Sequence, residues 1–151
     1  MKTLGNDTDR RKILERMASL TRDDRARWGK MSAHQMLCHL RDSYCLALGE
    51  KAASSATGIL QRTIVKGFAL WVPIHWPKGV PTRPEMEQGK GGTPPVEFQS
   101  DRNALGTILD RFCNEVRTPR AAHPIFGPMT PEEWRRWGYL HADHHLRQFG
   151  R

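Results

Sequence analysis

The segment Thr130-Pro-Glu-Glu-Trp-Arg-Arg-Trp-Gly-Tyr-Leu-His-Ala-Asp-His-His-Leu-Arg-Gln-Phe-Gly150 constrains the fold most, because it reads as one helix whose inward stripe carries histidines where leucines are expected. Advancing about 100° per residue from Trp134, the residues Gly138, His141, His145, Gln148 and Phe149 share a side. Arg135, Arg136, Asp143 and Arg147 fall on or towards the other. Thr130-Pro-Glu-Glu133 is a capping box with proline at the first helical position, so the helix start is marked as clearly as its faces. His141 and His145 therefore point inward. Burying two imidazoles without partners is costly, and an i, i+4 pair on one face suits a shared metal ion that satisfies both.

The rest of the chain patterns as further helices. A first helix is expected from Thr8 to Leu20, capped by Asp7 or Thr8, with Ile13, Leu14, Met17 and Leu20 as its apolar stripe. Ser32-Ala-His-Gln35 is a second capping box, followed at helical spacing by Met36, Leu37, Leu40, Tyr44, Ala47 and Leu48 and ending near Gly49. Ile59 to Trp71 reads as a third, nearly all-apolar helix. Pro73 to Ser100 is too rich in proline and glycine for regular structure and is read as a long crossover loop. A fourth amphipathic helix is expected from Ser100 or Asp101 as cap to Val116. The fold class is all-α, an antiparallel bundle in one domain spanning 1–151.

A chain of 151 residues can bury a core without disulfides. Its three cysteines are an odd number. Cys38 and Cys45 stand too far apart on one helix to bridge, which points to a reducing, cytoplasmic setting. Both are expected on the side of that helix away from Met36 and Leu40, as surface or subunit-contact thiols, and Cys113 in the core. Met1-Lys-Thr-Leu-Gly-Asn-Asp7 shows no secretory apolar run, and Ile59 to Val72 is shorter than a membrane span and holds Arg62 and Lys66, so no membrane partner is expected. The net charge of +8 invites a nucleic-acid reading, but the 24 basic residues are interleaved with acids, as on solvated helix faces. Gly89-Lys-Gly-Gly92 follows no strand and reads as a turn, not a phosphate loop.

A catalytic metal site commonly has three protein ligands and an open position, so the pair on the last helix calls for a third ligand on a facing helix. His39, at the margin of the second helix's stripe, is the best placed. His34, in the first turn, is expected to cap or to face solvent. His144 lies further round its helix and is the reserve ligand, better suited to the surface or to supporting a ligand. Asp42, one turn beyond His39, is a candidate to orient that ring or act as a base, and Gln148 is a candidate hydrogen-bonding partner because it shares the inner stripe. Trp134 and Trp137 read as core aromatics near the pocket.

Three segments carry a family likeness: Trp28-Gly-Lys-Met-Ser-Ala-His-Gln-Met-Leu-Cys-His39-Leu, His123-Pro-Ile-Phe-Gly-Pro-Met-Thr-Pro-Glu-Glu-Trp134 and His141-Ala-Asp-His-His145-Leu-Arg-Gln148. Together they resemble the DinB/YfiT-like superfamily of small helical metalloproteins, in a branch known mainly as a domain of unknown function. The resemblance implies a four-helix bundle with a long crossover loop and an extra helix. It implies a divalent metal held by His39, His141 and His145, with zinc or nickel foremost and iron or manganese as further candidates, and Gln148 at a recurrent position. It also implies a homodimer and a metal-dependent transferase, using a low-molecular-weight thiol, or a hydrolase, acting on a small-molecule substrate. The rival is a non-catalytic metal-binding or stress-associated protein. The insert from Pro73 to Ser100 matches no motif of that family.

Overall fold

The computed structural model describes residues 1–116 and 121–151. Among these it is all-α: α1 (Asp7–Ala18), α2 (Ala33–Ala47), a π-helical turn (Gln61–Val65) running into α3 (Lys66–Trp71), a single 3₁₀ turn (Pro84–Met86), α4 (Phe98–Glu115) and α5 (Pro131–Gln148). α2 packs mainly on α4, and α5 packs on α1, α2 and α3. One core joins them, centred on Tyr44, Phe112, Trp134 and the leucines of α2 and α4. Among the described residues no helix is long and apolar enough to cross a membrane.

Both capping boxes form. Gln35 N donates to Ser32 Oγ at 3.1 Å and Ser32 N to Gln35 Oε1 at 2.9 Å. Glu133 N donates to Thr130 Oγ1 at 3.2 Å and Thr130 N to Glu133 Oε2 at 2.8 Å. These reciprocal bonds fix where α2 and α5 begin, and hence the rotational phase of the histidines they carry. Gly138 lets α5 approach the core closely, since a Cβ there would lie 2.9 Å from Phe112 and 3.0 Å from Leu4. Tyr44 Oη donates to the Gly138 carbonyl at 3.0 Å across the same contact.

Several expectations need correction. The cap of α1 is Asn6, whose side chain accepts from Asp9 N. α4 starts at Phe98, capped by Glu97, earlier than the Ser100 or Asp101 cap expected, because Glu97 takes the N–H groups of Gln99 and Ser100 and releases Asp101 to face inward. Cys38 is fully buried rather than on a free face, since α2 is covered by α4 on one side and α5 on another and exposes little of its circumference. Cys113 is a core residue as expected, and Cys45 is half-buried. The helical stretch ending in α3 buries only Leu70; Ile59, Leu60 and Ile64 project into solvent.

Candidate metal centre

α2 carries His39 near its middle, and α5 presents His141 and His145 one turn apart, so the packing of α5 on α2 brings three rings together. Their centroids lie 4.8–5.1 Å apart with planes inclined at 71–78°. The Nε2 atoms converge: His141 Nε2 is 3.2 Å from that of His39 and 3.2 Å from that of His145.

The outer nitrogens decide which inner ones hold hydrogens. His39 Nδ1 lies 3.1 Å from the Met86 carbonyl, which can only accept, so Nδ1 carries the hydrogen and Nε2 a bare lone pair. His145 Nδ1 lies 2.9 Å from Gln148 Oε1. The amide orientation of Gln148 is fixed because its Nε2 donates to the Trp28 carbonyl at 2.6 Å, so His145 too presents a lone pair inward. Gly29 makes room for that amide: it adopts φ +79°, and a Cβ there would stand 2.6 Å from Gln148 Nε2. His141 has one hydrogen for two facing lone pairs, and its buried Nδ1 has no partner among the described residues. As neutral imidazoles alone the three rings leave a lone pair or an N–H unmatched.

A cation removes that mismatch. An ion about 2.0–2.1 Å from each nitrogen in tetrahedral array sets ligand atoms roughly 3.3–3.4 Å apart, close to the 3.2 Å that separates His141 Nε2 from each of the other two. The donors are also ready. Burial holds His39, His141 and His145 below the usual histidine pKa, and for His141 the neighbouring His145 and His39 add to the effect. No protons need to be displaced at neutral pH. Among the described residues no fourth His, Cys, Asp or Glu joins the three.

The cluster forms part of the wall of a cavity of about 410 Å³ between α2, α3, α5 and the loop after α3. Trp137 stacks on His141 at 4.8 Å, and Trp76 lies 6.2 Å from His141 and 6.3 Å from His144. His144 lines the cavity but stands apart from the converging nitrogens, with its ring edge-on to Trp28. Asp42, considered as the group orienting His39, spends both oxygens elsewhere: Oδ2 accepts from Thr93 N at 2.7 Å and Oδ1 from Thr93 Oγ1 at 2.6 Å, with Lys51 3.1 Å away. It clamps the long loop, and the Met86 carbonyl of that loop takes the orienting role.

A model of the family described as "Protein of unknown function (DUF1569)" matches residues 6–151. The chain belongs to the DUF1569 family. No curated protein and no solved structure is significantly similar to it.

This DUF1569 chain holds a second buried cluster that shows what a self-satisfied one looks like. His34, expected to cap or face solvent, is buried, and its Nε2 lies 2.7 Å from Asp101 Oδ2, which also accepts from Val96 N at 2.9 Å. Cys38 is the third member. Its thiol is pushed up to about 12 by burial, with Asp101 and Asp42 adding to it, so it stays protonated and unreactive. Here donor faces acceptor, whereas at His39, His141 and His145 two lone pairs face at most one hydrogen. Met86, Trp76 and His123 were not legible as parts of the first site, the first because a carbonyl leaves no trace in residue type.

Proposed function

We propose that this DUF1569 chain is a metal-dependent enzyme of the DinB/YfiT-like kind. It holds one divalent transition metal through His39, His141 and His145 and acts as a transferase or hydrolase on a small molecule in the adjoining cavity. The observation that carries this is the pair of tautomer-locked lone pairs, on His39 and His145, converging with His141 Nε2 at the wall of that cavity. The order of helices supports the DinB/YfiT-like assignment, with the long crossover between α2 and α4 and the ligands on the second and last helices.

When bound, a divalent ion held only by neutral imidazoles keeps its full charge and is a Lewis acid toward a water, a thiol or a carbonyl that reaches it. The chain's own groups do the rest. Met86 O and Gln148 fix the rings of His39 and His145, which preorganises the donor set. Trp76, Trp137 and Met86 line the cavity and limit the water that enters. No Asp or Glu lines the cavity among the described residues; of the lining histidines outside the donor set, His123 has its Nδ1 taken by the turn N–H groups and His75 is exposed on the loop, so we assign proton transfer to His144 on α5. Burial holds its pKa below the usual value, leaving it neutral and able to accept a proton at pH 7.

Cobalt(II) substitution tests the reading. The visible spectrum should change on adding a low-molecular-weight thiol or an azide ion, because a position remains open. A cobalt spectrum indifferent to both would favour the structural-metal rival, and no cobalt binding would end the proposal.

A further inference from the structure

His123 opens a tight turn. Its backbone N–H donates to the Gly127 carbonyl at 2.8 Å and its carbonyl accepts from Gly127 N–H at 2.8 Å, with Gly127 at φ +68°. Inside the turn His123 Nδ1 accepts from the N–H of Ile125 at 3.2 Å and of Phe126 at 3.1 Å. A ring nitrogen that accepts bears no hydrogen, so the neutral imidazole carries it on Nε2. Burial depresses the ring's pKa to about 3, which keeps it neutral at any physiological pH. Nε2–H is thus a fixed donor: both turn contacts of the ring use Nδ1, and no acceptor among the described residues takes Nε2.

The ring is 7% exposed, stacked on Phe126 at 4.6 Å and edge-on to Trp137 at 5.1 Å, and it lines the same cavity as the three histidines. Trp137 in turn stacks on His141, so the donor stands one indole away from the metal centre. The wall is otherwise mainly apolar, and Phe68, Ile74 and Val80 line it while remaining about half exposed, so that wall continues to the molecular surface. Ser43 offers no competing donor, since its hydroxyl is given to the His39 carbonyl at 2.8 Å, whereas Arg83 also lines the cavity and its buried Nε has no partner among the described residues.

We infer that the cavity takes an apolar molecule bearing a carbonyl-type oxygen, held by the His123 Nε2–H while its apolar body lies along Phe68, Ile74 and Val80. His123 is a positioning residue, and its placement of that molecule beside the metal rests on the function proposed above. The donor and the apolar wall do not. An N–H fixed in an apolar cavity wall and not taken by the protein is free to bind a ligand acceptor that reaches it, which adds direction to an otherwise apolar contact.

The test compares benzylacetone with its near-isosteric hydrocarbon isopentylbenzene, using the fluorescence of Trp76 and Trp137 as readout, on metal-loaded and chelated protein. In the wild type the ketone should gain roughly three- to tenfold over what its lower hydrophobicity alone would give, the range expected of one neutral hydrogen bond, and this gain is the preference scored against His123→Asn. His123→Asn should abolish that preference and leave the hydrocarbon's affinity unchanged. An asparagine oxygen can still accept from the two turn N–H groups, so the turn persists while the reach of Nε2 is lost. Independently of any variant, the ring N–H proton of His123 should move downfield with the ketone and not with the hydrocarbon. A ketone-to-hydrocarbon affinity ratio unchanged in His123→Asn overturns the inference. A preference that survives His123→Asn but disappears on chelation gives the oxygen to the metal, which refutes the role of His123 and leaves the metal reading standing. A preference lost in His123→Asn but present after chelation supports the inference whatever the fate of the metal site.

Discussion

Gln148→Ala separates a metal-tuning network from ordinary core polarity. Gln148 is 3% exposed and bridges His145 Nδ1 to the Trp28 carbonyl, so its removal strips a buried N–H of its acceptor and a carbonyl of its donor. The N–H is deeply buried, whereas Trp28 is half-buried and water can reach its carbonyl. The stability cost should therefore be about 1–3 kcal/mol, or a fall in Tm of roughly 2–10 °C for a chain of this size. The larger effect is on metal. With no acceptor at Nδ1 the ring can flip or change tautomer, and affinity should drop roughly 10- to 100-fold, as for other partners of metal-bound histidines. Competition against a chelator of known affinity measures it. Gln148→Glu keeps the acceptor but sets an oxygen against the Trp28 carbonyl, so it should lower apo stability while holding or raising metal affinity. Wild-type metal affinity in Gln148→Ala would refute the idea that Gln148 sets the tautomer of His145.

Three further outcomes follow from the geometry. His141→Leu should abolish metal binding and change apo stability by less than about 1 kcal/mol, because it removes one buried unpartnered nitrogen but also the one hydrogen that His39 and His145 share, whereas His34→Leu should lower stability by about 1–3 kcal/mol because buried Asp101 loses one of its two partners; thermal melts of both variants decide it. In the metal-free protein His39, His123, His141 and His145 all have folded pKa values below that of the unfolded chain, so unfolding takes up protons in acid. Stability should be full above about pH 6.5 and decline below it by about 1.4 kcal/mol per pH unit for each such ring until its folded pKa is reached, near 3 for His123; a flat urea midpoint between pH 6.5 and 5 would contradict this. The exposed apolar side chains Leu60 and Ile64 suit the subunit contact of the homodimer that the resemblance implies, and Leu60→Glu with Ile64→Glu should give a monomer in sedimentation experiments, while a monomeric wild type would exclude the contact.

The sequence shows α5 almost completely, because Thr130, Pro131 and Glu133 mark its start and its apolar period sets the phase of His141 and His145. It also shows His39, whose helix is fixed by the Ser32 and Gln35 box. Cys38, His34 and Asp42 depart from expectation, and each lies where packing decides. Cys38 and His34 are buried because α4 covers a side of α2 that periodicity assigns to solvent. Asp42 sits one turn from His39, as local spacing requires, but Thr93 from the distant loop captures its carboxylate. The Met86 carbonyl is backbone, and its arrival at His39 Nδ1 depends on how the proline-rich loop folds back. The crossover helix was visible as an apolar run, but its π-helical turn and its open face follow from what it packs against rather than from composition.

X-ray absorption at the metal edge of protein reconstituted with zinc or nickel bears most directly on the three-histidine open site. Stoichiometric binding of one ion is predicted, with three imidazole nitrogens at about 2.0–2.1 Å, at least one light oxygen from solvent, and a new sulfur shell near 2.3 Å once a small thiol is added. Sub-stoichiometric binding, a sulfur ligand already present without added thiol, or a sphere closed by protein donors and unchanged by thiol would contradict it.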